Sequence, residues 1–213
     1  MKITLIDAGK RFNRDWVFRH LQYEFLPRQH YAITGPNGSG KSTLLQVIAG
    51  AIVISEGMVR YAGSDPAPAE SSSSDIPPEQ VYRNLSLSAP YLDLIEEMSA
   101  MEFLKFHHAF KPIMPSLSIP DALAAVGLAG AANKQIRFFS SGMKQRLKLA
   151  QALFSDTAVI LLDEPCTNLD AEGVALYQQL IRQYGEGRLV IVSSNDPQEY
   201  DFCEKTINIL EYK

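Results

Sequence analysis

The sequence is poor in cysteine, with only Cys166 and Cys203 among 213 residues. They form no metal-ligand or disulfide pattern, and unpaired thiols fit a reducing compartment. A basic excess is missing too. Twenty Lys and Arg stand against 24 Asp and Glu, a formal charge of −4, so no overall positive field points to nucleic acid. No apolar run approaches the roughly 20 residues that span a bilayer. Work at a membrane therefore needs a span from another chain. The opening stretch MKITLIDAGKRF has Asp7, Lys10 and Arg11 where a signal peptide needs an apolar core, so no secretory leader is expected. Internal repeats are absent from the pattern as well.

What is present suits a soluble globular chain: 46% hydrophobic and 21% charged residues, in a length that fits one large domain or two small ones. Hydrophobic patterning predicts short strands over 3–6 and 17–26, then a strand HYAITG over 30–35 that runs into a glycine-rich loop. A helix follows over 41–50, closed by Gly50, and a strand over 56–63. Residues 63–80 are rich in Ser and Pro and read as a surface loop. Residues 81–89 alternate like a strand, with Val81, Leu85 and Leu87 on one face. Helices are expected over 94–110, 121–128, 141–154 and 171–184, and strands over 157–165, 188–194 and 206–210. Apolar strands alternating with helices imply an α/β fold with a largely parallel sheet, helices on both faces, and a site at the strand ends.

One loop carries clear chemistry. GPNGSGKS, Gly35 to Ser42, satisfies G-x-x-x-x-G-K-[ST] and adds Gly38. The glycines in the run Gly35, Pro36, Asn37, Gly38, Ser39 and Gly40 permit unusual backbone angles and bring N–H groups close to phosphate oxygens. Lys41 supplies a point charge for β and γ phosphates, and Ser42, followed by Thr43, offers a hydroxyl to Mg²⁺. The loop ends at a helix N-terminus, which favours anions. A second element, VILLDEP, places Asp163 and Glu164 at the end of an apolar strand. Asp163 fits the second metal-holding group that a phosphate loop needs. Glu164 is placed to act as general base for a water at the γ-phosphate. Alone, the pair reads equally well as solvated carboxylates before a proline turn.

Taken in order, these motifs resemble the ATP-binding subunits of ABC transporters. GPNGSGKST is similar to their Walker A. ILLDEPCTNLD is similar to Walker B with catalytic Glu164 and the D-loop that ends at Asp170. FSSGMKQRLKLAQAL, over 139–153, resembles the signature segment LSGGQ and its basic helix. Ser140 and Gly142 are kept, while Phe139, Ser141 and Met143 replace Leu, Gly and Gln. The same stretch also reads as an amphipathic helix capped by Ser140 or Ser141. The resemblance implies a P-loop NTPase fold of ABC ATPase type: a mostly parallel core, an N-terminal antiparallel β subdomain, and a helical subdomain over about 89–153. Residues 1–213 would form a single ATP-binding domain. It further implies ATP and Mg²⁺ as cofactors and ATP hydrolysis coupled to transport. The partners implied are a transmembrane permease subunit and a second ATP-binding subunit, identical or not, in a head-to-tail dimer at the cytoplasmic face. Ser140 and Gly142 would contact the ATP of the opposite subunit. An aromatic is expected to stack on adenine; Phe12 fits by position and Trp16 is the rival.

Two positions depart from the family. A Gln expected at the start of the helical subdomain falls on Ala89, Pro90 or Tyr91, and only Tyr91 offers a hydroxyl for water. The His expected after the strand that follows the D-loop is Asn195, in Ser194-Asn195-Asp196. Asn can donate to a γ-phosphate, with shorter reach and no cationic form. The expectation is intact ATP binding and slow or partner-dependent hydrolysis. Two other functions stay open on sequence alone: a soluble ABC-type ATPase with no transporter, and an ATP-clamped dimer without turnover.

Overall fold

The computed structural model describes residues 1–63 and 75–213. In chain order, it contains β1 (Lys2–Phe12), β2 (Asp15–Phe25), β3 (His30–Thr34), α1 (Lys41–Ile48), β4 (Glu56–Ala62) and β5 (Leu85–Ser88). There follow α2 (Ala100–Phe110), α3 (Ile119–Ala125), α4 (Ser141–Leu153), β6 (Val159–Asp163), α5 (Ala171–Tyr184), β7 (Leu189–Ser193) and β8 (Lys205–Asn208). Two sheets form. One is antiparallel, in the order β2-β1-β4. The other has five strands in the order β5-β6-β7-β3-β8, with every pairing parallel.

The inner strands β6 and β7 are buried at every position, as their nearly unbroken apolar runs require, whereas the edge strand β8 is largely exposed. Leu161 and Ile191 face Leu44, Leu45 and Ile48 of α1, and the antiparallel sheet covers that layer with Ile3, Leu5, Phe18 and Phe25. Ile160, Leu162, Val190 and Val192 point the other way, towards Leu147 of α4 and Tyr177 and Ile181 of α5. Each such side chain contributes about 1.5–3 kcal/mol by leaving water. The helices α2 and α3 join this second cluster through Phe103, Leu104, Ala122 and Leu123.

Several expectations about the elements change, among them the last strand, which ends at Asn208 before a 3-10 turn over Ile209–Tyr212. Val81 lies in a 3-10 turn over Pro78–Arg83, and the strand starts only at Leu85. Pro78 at the first position of that turn presets its φ and starts it, and the turn runs through Val81 to Arg83. The helix expected from 94 begins at Ala100. Ser99 accepts from the Glu102 N–H at 3.2 Å, and Glu102 Oε2 accepts from the Ser99 N–H at 2.8 Å. That capping box fixes the start. The helix expected over 121–128 ends at Ala125, ahead of Gly127 at φ +71°. β1 runs on to Phe12, well past residue 6, and pairs with β2 down to Phe12↔Asp15, with Asn13 turning at φ +54°. The loop expected over 63–80 falls mostly on residues 64–74, outside the described residues.

A buried cation fastens the far ends of these elements. Arg188 donates through Nε to the Thr157 carbonyl at 2.7 Å, through Nη1 to the Leu153 carbonyl at 2.7 Å, and through Nη2 to the Ser155 carbonyl at 2.9 Å. It thereby joins the end of α4 and the approach to β6 to the start of β7. Burial pushes its pKa down to about 10, which still leaves it charged at neutral pH. Replacing it orphans several buried carbonyls, each costing about 1–3 kcal/mol. Arg188→Met is therefore expected to lower the unfolding free energy by about 3 kcal/mol in urea titration, with no change in ATP affinity among the chains still folded.

Candidate functional site

The site grows from the turn after β3. Gly35, Gly38 and Gly40 stand at φ +145°, +75° and +103°, a region closed to most side chains. Gly40 also has no room: a Cβ there would lie 2.2 Å from Val17 Cγ1. The turn hands the chain to α1, whose first N–H groups have no helical partner. Lys41 is 4% exposed, and its Nζ donates to the carbonyls of Gly35 and Pro36 at 2.9 and 3.2 Å. The ammonium is thus folded back over the loop.

The parallel register brings two neighbouring strand ends to this loop. Asp163 pairs with Ser193, and Ser193 with Ile33. Asp163 is 1% exposed, and its Oδ1 has no hydrogen-bond partner. Buried polar atoms are rarely left so. The Oγ atoms of Ser39 and Ser193 are likewise buried without partners. A divalent cation fits this donor set, because an anionic oxygen without a partner and the Ser42 hydroxyl are hard oxygen ligands of the kind Mg²⁺ takes. Among the described residues no group of three His, Cys, Asp or Glu stands ready to hold a metal by itself. Such a site relies on substrate oxygens for the rest of the shell.

Glu164, the next residue, adopts φ +43° and donates its N–H to the Ser193 carbonyl at 2.9 Å. A non-glycine residue in that region costs about 1–3 kcal/mol, and such strain clusters at functional positions. A cavity of about 290 Å³ collects Phe12, Val17, Lys41, Ser42, Thr43 and Glu164 with Asn37, Gly38 and Gly40 of the loop. Phe12 is 49% exposed at its mouth. Trp16 is elsewhere, between the guanidinium groups of Arg11 and Arg19 at 5.4 and 4.5 Å. Asn195 reaches the loop directly: its Nδ2 donates to Asn37 Oδ1 at 3.2 Å. That contact spans 158 positions, a separation at which no local pattern announces it.

Ser140 and Gly142 are not part of this cavity. Ser140 caps α4, accepting from the Met143 N–H at 3.2 Å. With Gly142, Arg146, Asn168 and Asp170 it lines a second concavity of about 400 Å³. No described residue lines both. The phosphate loop and the α4 N-terminus of one chain therefore present two separate anion-favouring surfaces.

A family model described as ABC transporter matches residues 18–167. The chain belongs to that family, as an ATP-binding subunit. The uncharacterized ABC transporter ATP-binding protein YybJ of Bacillus subtilis is 30% identical over 204 residues, covering 92% of this chain and 87% of that one. The cytochrome c biogenesis ATP-binding export protein CcmA of Agrobacterium fabrum is 29% identical over 201 residues, covering 92% and 90%. Two solved structures show the fold. An ATP-binding protein of a putative ABC transporter from Pyrococcus furiosus superposes with a TM-score of 0.82 at 21% identity over 100% of both chains. The dimeric, ADP- and phosphate-bound cassette MJ0796 superposes with a TM-score of 0.80 at 22% identity over 97% of this chain and 94% of that one.

Within this ABC cassette, two polar groups have contacts that the sequence does not display. Tyr91 follows β5 in a turn held by Lys148, whose Nζ donates to the carbonyls of Ala89 and Pro90 at 3.3 and 2.9 Å. Tyr91 is 44% exposed overall, yet desolvation and the nearby Asp163 carboxylate push its pKa up to about 12, with the neighbouring Gln46 of α1 lowering it. Tyr91 thus stands beside Gln46 within the field of Asp163. The other is Gln145 of α4, whose Nε2 donates to the Pro165 carbonyl at 2.7 Å. A polar residue on the buried side of an amphipathic helix was the available signal for it.

The two loop glycines separate strain from collision. A Cβ added at Gly38 would meet nothing within 4 Å, whereas one at Gly40 would meet Val17. In ATP titrations, Gly38→Ala is expected to weaken binding by about tenfold or less, the cost of one left-handed residue. Gly40→Ala is expected to weaken it at least about another tenfold, the cost of forcing a methyl group into occupied space.

Proposed function

We propose that this protein binds ATP with Mg²⁺ and hydrolyses it as one half of a head-to-tail pair of cassettes that powers a membrane-spanning partner. The observation that carries the reading is the single cavity holding Phe12, Lys41, Ser42 and Glu164 together. Phe12 stacks on adenine through its exposed face. Loop N–H groups and Lys41 take the β and γ phosphates, and phosphate oxygens replace the two carbonyls that now hold the ammonium. Ser42 and Asp163 hold Mg²⁺, which when bound neutralises phosphate charge. Glu164 accepts a proton from the attacking water. The water oxygen bonds to the γ phosphorus as the bond to the β–γ bridging oxygen breaks, releasing ADP and phosphate. Asn195 donates its amide to the γ-phosphate from its place beside Asn37, and Tyr91 offers a hydroxyl where the family has Gln.

Ser140 and Gly142 lie outside the cavity, which supports their use on the nucleotide of a second subunit. A permease partner is supported by exposed aromatics on α2. Phe106 and Phe110 pack edge to face at 5.0 Å, and Phe110 is 71% exposed. The same helix lends His107 to a groove of about 180 Å³ that Leu87, Leu92 and Lys111 also line. Among the described residues no helix is long and apolar enough to cross a membrane. The export function in the names of the CcmA relatives supports an export role. Domain organisation follows as one cassette over 1–213, with a helical subdomain over about 89–153.

Slow turnover is part of the reading, because Asn195 stands where His is expected and Ala89, Pro90 or Tyr91 where Gln is. A single preorganised donor is worth roughly 10²–10³ in rate. Phosphate release by the purified chain tests this. Glu164→Gln should remove it while ATP still binds, and Asn195→His should raise it at least about tenfold. An unchanged rate in Glu164→Gln refutes the catalytic role of Glu164; an unchanged rate in Asn195→His leaves Asn195 a turn residue.

A further inference from the structure

Glu199 is a carboxylate with no obvious business where it sits. It is 4% exposed, in the 3-10 turn Pro197–Glu199 that follows Asn195. Among the described residues no ion pair joins it to a cation. Burying an unpaired carboxylate costs several kcal/mol unless hydrogen bonds replace water. Burial pushes its pKa up, the Ser194 hydroxyl and the Cys166 N–H pull it down, and the charges of Asp196 and Glu164 push it up again. A neutral side chain of the same size would fill the space at lower cost.

The hydrogen bonds say what the carboxylate holds. Glu199 Oε1 accepts from the Cys166 N–H at 2.7 Å, across 33 positions. Cys166 lies two residues beyond Glu164. The turn that carries Glu199 directly follows the 194–196 loop. The Glu199 N–H donates to the Asp196 carbonyl at 3.0 Å, and the Glu199 carbonyl accepts from the Tyr177 hydroxyl of α5 at 2.7 Å. Two loops meet at this residue: 194–196, joined through its N–H, which carries Asn195 to the phosphate loop, and 164–170, joined through its carboxylate, which carries Glu164 and, at the α4 concavity, Asp170. The second loop is held from its other side by Gln145 through Pro165.

We infer that Glu199 is a positioning residue: its carboxylate clamps the loop of Asn195 to the loop of Glu164, so that the two side chains address one γ-phosphate together. The inference rests on the proposed ATPase activity for its catalytic consequence and on the hydrogen bonds alone for its mechanical one. The strained backbone of Glu164 needs such support, because a residue at φ +43° relaxes unless its surroundings fix it. A displacement of about 1 Å at a reacting group costs on the order of 10²-fold in rate.

Three variants test the clamp. Glu199→Gln keeps a carbonyl oxygen for the Cys166 N–H and removes the charge. Glu199→Leu fills the volume without an acceptor, and Glu199→Ala is read in its place if the leucine variant does not fold. The measurements are hydrogen exchange of the 164–170 segment, ATP affinity, and kcat and KM for phosphate release. The expected result for Glu199→Leu is faster exchange in 164–170, ATP affinity within about twofold, and kcat lower by about 10- to 100-fold. Glu199→Gln should restore both exchange protection and kcat to within about threefold. Unchanged exchange in the leucine variant overturns the inference. So does a loss of kcat matched by an equal loss of ATP affinity, or a failure of Gln to rescue. If the wild-type chain shows no phosphate release at all, the ATPase proposal fails by itself. Exchange protection of 164–170 in the three variants then still decides whether Glu199 clamps the loops.

Discussion

The turn from β3 into α1 sets the terms for the rest of the molecule. Its glycines are held at positive φ, and Gly40 runs so close to Val17 that a side chain has no place. That contact ties the antiparallel sheet to the phosphate loop, and so puts Phe12, at the end of β1, over the mouth of the cavity. The parallel register does the remaining work. Because Asp163 lies beside Ser193, and Ser193 beside Ile33, two strand ends deliver Asp163, Glu164 and Asn195 to the same loop. A sheet of different strand order would scatter them.

Polar atoms left without partners lie in the loop and at the strand ends next to it. Asp163 Oδ1, Ser39 Oγ and Ser193 Oγ are buried and unbonded at the very edge where the helix N-terminus favours anions. Lys41, held only by loop carbonyls, adds the matching positive charge. The α4 N-terminus has the same anion preference but faces elsewhere, with Ser140 and Gly142 beside Asn168 and Asp170. A chain with two such surfaces, neither of which completes the other, suits a nucleotide that is closed in by a second subunit.

Much of this is legible in the sequence where chemistry and spacing coincide. GPNGSGKS, LLDEP and FSSGM mark the loop, the carboxylates and the capped helix, because each depends on local backbone demands that residue types announce. α5 lies over 171–184 as its periodicity indicates. Legibility fails where a partner is distant or a local signal competes. Val81 alternates like strand, yet Pro78 starts a 3-10 turn that runs through it. Apolar periodicity puts the start of α2 too early, although Ser99 and Glu102 spell a capping box. Phe12 and Trp16 separate only in three dimensions, where the cavity takes one and two arginines the other. Tyr91 with Gln46, Gln145 with Pro165 and Glu199 with Cys166 are tertiary pairs, and no periodicity encodes them.

The central claim is that each nucleotide is held by the phosphate loop of one subunit and the α4 N-terminus of another. Sedimentation velocity of the Glu164→Gln chain, with and without Mg²⁺ and ATP, tests it most directly when Ser140→Arg is added as a second change. The claim predicts a single-chain mass without ATP, a two-chain mass with ATP, and return to the single-chain mass in the double variant although ATP still binds. A chain that binds ATP at full occupancy and stays single, or pairs equally well with Arg at 140, would contradict it.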